Sequence, residues 1–229
     1  MAKLLFDQVG ERFYETGVKE VALFVYDKTA KDYKTPVAWN GVTALTVSPS
    51  GAEATPLYAD DIKYLNLVSA EEIGASIEAY TYPDEFGACD GSASPVAGMK
   101  IGQQARSQFG LCFKTTLGND TANNEYGYKL HFLYNCLAAP SEKAYATIND
   151  SPEAITFSWE LTTTPANGFT VEGVGTFKPT AYVEVTVKPG ENGEIDAKFK
   201  ALEDLVYGSE SAEGKLPTPE EIYNTLKAA

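Results

Sequence analysis

The stretch AITFSWELTTTPA, residues 154–166, alternates between apolar and polar side chains, and this pattern decides the class of fold. Its apolar positions are Ile155, Phe157, Trp159 and Leu161, and its polar positions are Thr156, Ser158, Glu160 and Thr162. A period of two is typical of a β-strand with one face on a core and the other face turned away from it. The stretch therefore predicts a half-buried strand and raises the question of what its polar face meets.

Similar signals recur along most of the chain. Short runs rich in Val, Ile, Leu, Thr and Tyr are separated by Gly, Pro, Asn and Asp. The run EVALFVYD, residues 20–27, is almost entirely apolar, as expected of a strand that is covered on both faces. Roughly ten such runs and hardly any helical periodicity predict an all-β, mainly antiparallel fold, either a sandwich or a barrel.

Two segments predict helices. YPDEFGACDG, residues 82–91, places acidic residues directly after Pro83, which favours one short helix beside the sheets. Near the C-terminus, Thr218 and Glu221 match a capping box with a proline at the first helical position. The chain is therefore divided into a β-domain, residues 1–206, and a linker with a C-terminal helical extension, residues 207–229.

The charge of the chain argues against tight nucleic-acid binding. The sequence has 32 acidic and 18 basic residues, a formal net charge of −14. Surfaces that bind phosphates are built from clustered Arg and Lys, because affinity comes from neutralising the backbone charge.

No window approaches the roughly 18 apolar residues of a membrane span, and the first residues hold too short an apolar run for a signal peptide. We therefore expect no membrane partner.

The motifs that could carry chemistry are weak. His131 is the only histidine, and no G-x-S-x-G motif accompanies it. The loop GNDTANNEYG, residues 118–127, spaces oxygen-bearing side chains but lacks the Gly at position six and the Glu at position twelve of a calcium loop, so it predicts a hairpin. The adjacent pair Asp60 and Asp61 would face opposite sides of a strand. The three cysteines are far apart and odd in number, which indicates neither a disulfide framework nor a zinc site. We expect no catalytic residue, no metal and no cofactor, hence a protein that is not an enzyme.

Six motifs, in their order along the chain, carry a family resemblance. They are WNG (39–41), PLYADD (56–61), TYPDEF (81–86), IGQQ (101–104), the strand SWELTTTP (158–165) and LPTPEEI (216–222). With these motifs the chain closely resembles the major tail protein, or tail tube protein, of long non-contractile-tailed bacteriophages. The resemblance runs from about residue 10 to 165 and resumes near 200. Between them only the strand-like AYVEVTV, residues 181–187, is similar.

The resemblance implies a tail-tube-type β-sandwich with one short flanking helix and long loops that reach neighbouring subunits. Members of the family assemble into rings of six that stack into a hollow tube. The implied partners are other copies of the chain, a tape measure protein, distal tail or baseplate proteins and a tail terminator protein. DNA is implied to pass through the tube without tight binding. The implied location is the phage tail of the virion, assembled in the cytoplasm of the bacterial host.

The same resemblance suggests an answer for the polar face of the opening stretch. One sheet of each subunit would line the bore, and Thr156, Ser158, Glu160 and Thr162 are then candidates to face the lumen. A wall with carboxylates would repel DNA mildly. An outward-facing polar surface remains an alternative for this strand. For the whole protein, the alternatives are a carbohydrate-binding or adhesin-like β-sandwich and a glycoside hydrolase with an acidic pair in one cleft.

Overall fold

A computed structural model describes residues 4–148, 150, 153–190 and 194–227. Its strands are β1 (Phe13–Asp27), β2 (Asp32–Tyr33), β3 (Val37–Ala38), β4 (Val42–Gly51), β5 (Ala54–Ala59), β6 (Ile62–Val68), β7 (Glu71–Ala79), β8 (Phe109–Asn119), β9 (Asn123–Ala138), β10 (Phe157–Thr162), β11 (Phe169–Val171), β12 (Gly175–Phe177) and β13 (Tyr182–Val187). Its helical segments are a 3₁₀ turn (Asp84–Phe86), α1 (Gly87–Asp90), α2 (Ala197–Tyr207) and α3 (Pro219–Lys227). The predicted all-β, mainly antiparallel class is confirmed.

Nine of the strands form one antiparallel sheet in the order β2-β1-β8-β9-β10-β7-β4, with β13 added to β9 and β3 added to β1. The sheet divides at β9, which pairs with β8 and β13 over most of its length but with β10 only at Leu137 and Ala138. We call β1, β8, β9 and β13, with the short β2 and β3, the central sheet. We call β4, β7 and β10 the polar sheet. The two sheets pack face to face as a sandwich.

The core between the two sheets contains large aromatic and aliphatic side chains. Its members include Leu23, Leu111, Phe113 and Leu133 from the central sheet and Ile77, Trp159 and Leu161 from the polar sheet. The 3₁₀ turn and α1 close one end of this core, because the Phe86 ring lies 4.4 Å from Trp39 and 5.0 Å from Trp159. The short helix predicted at 82–91 is thus confirmed, and its role is to close the core.

A second core lies on the opposite face of the central sheet, under α2 and α3. Phe24 and Phe132 from the sheet pack there with Leu202 of α2 and Ile222 of α3. Leu23 belongs to the first core and Phe24 to the second. The prediction that residues 20–27 form a strand covered on both faces is therefore confirmed.

The two C-terminal helices differ in how well the sequence predicted them. For α3 the predicted capping box is confirmed: the Thr218 N–H donates to Glu221 Oε2 at 2.9 Å, and the Glu221 N–H donates to Thr218 Oγ1 at 3.2 Å. Helix α2 was not predicted. It begins after Asp196, whose carboxylate accepts from the Lys198 N–H at 3.1 Å. The predicted domain boundary at 206/207 falls in the last turn of α2 and stays a prediction.

Candidate assembly surfaces

The outer face of the polar sheet is polar and largely exposed. The register places Ser158 beside Glu78, and Glu160 beside Ser76. On the other side of β7, Thr46 lies beside Ser76. The buried neighbours on the opposite face, such as Trp159 with 1% of its surface exposed, belong to the core. Serine, threonine and glutamate side chains thus cover this surface, which we call the polar face.

The polar face carries negative charge only. Its charged side chains are exposed carboxylates: Glu78 and Glu160 in the middle of the face, and Glu72 near the start of β7. Within the described β4, β7 and β10 there is no lysine or arginine. A polyanion held against this surface would meet repulsion, since these strands offer carboxylates and no basic side chain to neutralise its phosphates.

The structure corrects the predicted extent of the opening strand. Ser158, Glu160 and Thr162 lie on the polar face of β10, but Thr156 precedes the strand. Ile155, predicted to be inward-facing, is 38% exposed. The strand begins at Phe157 because its partner β7 ends at Ala79, the residue paired with Phe157. Whether these residues face a lumen stays a prediction.

A β-hairpin extends the polar sheet beyond the body of the subunit. Within the described chain, strands β5 and β6 pair only with each other, and all their residues are exposed. Seven residues of strand span roughly 20 Å. One side of the hairpin presents Leu57, Leu65 and Leu67, which are 44%, 41% and 60% exposed. We call residues 54–68 the arm. It is an apolar surface that the single chain leaves uncovered, as is typical of an interaction site.

Special backbone conformations shape the arm at both ends. At its base, Gly51 has φ 78°, and a Cβ there would lie 2.2 Å from the Ala70 carbonyl oxygen, so only glycine fits. At its tip, Asp60 and Asp61 have φ 51° and 62°. Two left-handed residues between paired strands form a type I′ turn. The prediction that these aspartates are adjacent strand residues is therefore wrong.

The two long edges of the polar sheet differ. Strand β4 pairs with β7 on one side, and no strand of the described chain pairs with its other side. Beyond β10, at the opposite edge, the chain that leaves β9 runs alongside: the Ala139 N–H donates to the Glu160 carbonyl at 2.8 Å. An unpaired edge such as β4 is a template for another chain.

His131 lies in a satisfied hydrogen-bond network on the central sheet. The Thr115 hydroxyl donates to Glu15 at 2.6 Å, so it accepts from the His131 Nε2–H at 2.8 Å. His131 Nδ1 then accepts from the Tyr182 hydroxyl at 2.6 Å. Burial lowers the pKa of His131, although Glu184 and Glu15 oppose this effect. A neutral imidazole with both nitrogens occupied has a structural role here.

Lys129 completes this network by bridging its two carboxylates. Its Nζ lies 2.7 Å from Glu15 and 2.9 Å from Glu184. Burial would raise the pKa of Glu15, but the hydrogen bonds from Lys129 and Thr115 outweigh burial and lower it. The network ties β1, β9 and β13 together across the sheet.

The remaining chemical groups are unreactive or dispersed. Cys89, Cys112 and Cys136 are free and buried, and burial raises the pKa of the Cys89 and Cys112 thiols to about 12. The predicted hairpin at 118–127 is confirmed as the connection from β8 to β9. Among the residues that the structure describes, no group of three or more metal-ligating side chains converges, and no helix could span a membrane.

No family model matches the chain, and no curated protein sequence matches it. Among solved structures, a chain of the anti-feeding prophage baseplate, from a 6-fold symmetrised cryo-EM structure, is 11% identical with a TM-score of 0.32. That overlap covers 80% of this chain and 97% of the baseplate chain. A chain from the extended sheath–tube complex of an extracellular contractile injection system is also 11% identical, with a TM-score of 0.31, and the overlap covers 73% and 89%.

Proposed function

We propose that this protein is a structural tail tube protein, whose copies form stacked rings around a channel for phage DNA. The observation that carries the proposal is the pair of strands β4 and β7. Within the body of the subunit the pair forms the polar face together with β10, and beyond the body it continues into the apolar arm. One ribbon thus provides a surface suited to a channel and a surface suited to a neighbouring subunit. The sequence resemblance to tail tube proteins supports the same role.

Lateral contacts form through the edges of the polar sheet. The open β4 edge of one copy forms backbone hydrogen bonds with the β10 edge of the next copy, so that the two polar sheets become continuous. Such a contact is heterologous, and it gives a closed ring when the rotation closes. The family resemblance implies six copies in each ring. In this arrangement the polar faces of all copies form one continuous wall.

Stacking contacts form through the arm. Leu57, Leu65 and Leu67 are covered when the arm of one subunit lies against a subunit of the adjacent ring. This second contact is also heterologous but open, and an open contact generates a filament. The two contacts together produce a tube.

The polar face lines the bore of this tube. Glu78 and Glu160 then repeat around each ring and along the axis, without basic side chains beside them on the face. DNA carries one negative charge per roughly 1.7 Å of its axis, so it passes along such a wall without being held. A tape measure protein occupies the bore before DNA enters, and terminator and baseplate proteins close the two ends.

The test is the assembly state of the purified chain. Sedimentation velocity across a range of concentrations and negative-stain microscopy of the same samples report rings and tubes. We expect hollow tubes at high concentration, either spontaneously or after seeding with tube fragments. A monomer at all concentrations that binds glycans would contradict the proposal and would favour the carbohydrate-binding alternative.

A further inference from the structure

We propose that residues 139–143, which we call the edge strap, close the β10 edge of the polar sheet in the free subunit and leave it when a ring forms. This proposal rests on the tail tube function proposed above and concerns its regulation. Strand β10 and β4 are at opposite sides of the polar sheet, and a continuous wall requires the two edges of neighbouring copies to meet.

The edge strap occupies two carbonyl oxygens of β10 that a neighbouring strand would need as acceptors. Strand β9 ends in register with β10, with Ala138 beside Leu161. The strap continues along the same line, because the Ala139 N–H donates to the Glu160 carbonyl at 2.8 Å. Two residues further on, the Ser141 hydroxyl donates to the Ser158 carbonyl. The carbonyls that β10 directs outward are therefore already satisfied.

The strap cannot itself serve as the pairing edge. In an antiparallel ladder, alternate residues direct their backbone groups inward and outward. Ala139 bonds inward, so Ala138 and Pro140 are turned outward. Pro140 has no N–H to donate. The Ala138 carbonyl is also occupied, since it accepts from Arg106 Nη1 at 2.8 Å. This edge is blunted in the way that protects edge strands from unwanted association.

An ion pair anchors the far end of the strap. Lys143 Nζ lies 2.9 Å from Asp90 Oδ2, and the Asp90 side chain is only 9% exposed. The other Asp90 oxygen accepts from the Trp159 indole N–H at 3.0 Å. Burial would lower the pKa of Lys143, but Asp90 outweighs it and raises the pKa, which keeps the ammonium charged. Just beyond the anchor, Tyr145 and Ile148 are 77% and 84% exposed.

These contacts give the free subunit one open edge and one closed edge. The β4 edge of one free subunit then cannot pair with the β10 edge of another until the strap of the second subunit opens. The closed and open arrangements are in equilibrium, and a neighbouring β4 edge shifts the population by binding only the open one. The strap thereby limits assembly of free subunits without preventing growth on an existing tube.

The test uses a release variant that removes the anchor without leaving a buried charge. Lys143→Met combined with Asp90→Asn keeps an acceptor for the Trp159 indole and removes the ion pair. We expect the concentration at which tubes appear to fall about tenfold, the factor for losing one charge-assisted hydrogen bond from the closed form. Lys200→Met, on the exposed surface of α2, is the matched control and is expected to behave as wild type. Thermal unfolding checks that each variant is folded.

A second measurement does not depend on any variant. The Ala139 amide, bonded to Glu160, is expected to exchange slowly with solvent deuterium in the free wild-type subunit and at least tenfold faster in tubes, if its partner is taken by another chain. Two results would overturn the strap proposal alone, provided that the wild type forms tubes. One is a release variant that assembles no more readily than the wild type, and the other is an Ala139 amide that is as well protected in tubes as in the free subunit. If wild type and release variant both remain monomeric even with tube fragments as seeds, the tail tube function is overturned and the strap with it.

Discussion

Replacing the three arm leucines with threonine is expected to raise the concentration needed for tube formation about a hundredfold while leaving the subunit folded. Full burial of a leucine side chain contributes about 2 kcal/mol. Leu57, Leu65 and Leu67 still expose 44%, 41% and 60% of their surface, so covering them in an assembly contributes about 1 kcal/mol each. The triple change therefore weakens the stacking contact by about 3 kcal/mol, or about a hundredfold in its association constant.

Threonine keeps a high strand propensity, so the hairpin itself is retained. The stability of the free subunit is expected to change by less than about 1 kcal/mol, because exposed side chains contribute little to folding. Sedimentation velocity and microscopy measure assembly, and urea denaturation measures the subunit. Threonine at Val96 and Val174, two exposed apolar residues outside the arm, provides the matched control. Tubes that form at an unchanged concentration after the triple change would refute the role of the arm.

Three further predictions concern other parts of the chain. Thr218→Ala removes the cap of α3 and is expected to lower the free energy of unfolding by about 1 kcal/mol in urea titrations, whereas an unchanged midpoint would contradict the capping role. Burial holds the folded-state pKa of His131 below its ordinary 6.5, so acid protonates the unfolded chain first. The free energy of unfolding is then expected to fall as the pH drops below about 6.5, and His131→Gln is expected to remove this pH dependence. A pH dependence that persists in the variant would refute its assignment to His131. Lysine at both Glu78 and Glu160 is expected to make assembled tubes retain short duplex DNA at low salt and release it at high salt. Two glutamate-to-lysine changes in the loop 208–214 control for net charge, and equal retention by that control would contradict a wall formed by the polar face.

The sequence predicted those features of the fold that depend on local patterns. Alternation identified β10 and placed Trp159 and Leu161 in the core. It extended the strand too far, to Ile155, because the end of a strand is set by its partner β7, which local alternation does not report. The cap at Thr218 was found because its determinants lie within four residues.

Helix α2 was missed although a local signal existed. Asp196 is a favourable N-cap residue, and Phe199, Leu202 and Val206 recur at helical spacing. The surrounding series of strand-like runs, which includes AYVEVTV at 181–187, favoured a β interpretation of the whole region. The second core under α2 and α3 could not be predicted, since it depends on non-local packing against β9 and β13.

The arm shows that an apolar pattern in the sequence does not distinguish a core surface from an interaction surface. Leu57, Leu65 and Leu67 have the composition of core residues, and only the structure distinguishes an apolar surface kept for a partner from one buried within the chain. The tip was missed because Asp60 and Asp61 replace the Asn-Gly or Asp-Gly pair that usually indicates a type I′ turn. The edge strap depends on Ala139, Glu160 and the distant Asp90, a combination that no local pattern contains.

A cryo-EM reconstruction of the assembled protein, with Glu78 and Glu160 located in it, decides whether the polar face lines a channel. We expect a hollow tube of stacked rings in which polar sheets join through β4 and these carboxylates face the bore. A solid or open assembly, or a tube whose bore is lined by another surface while the polar face meets outer solvent, would contradict it.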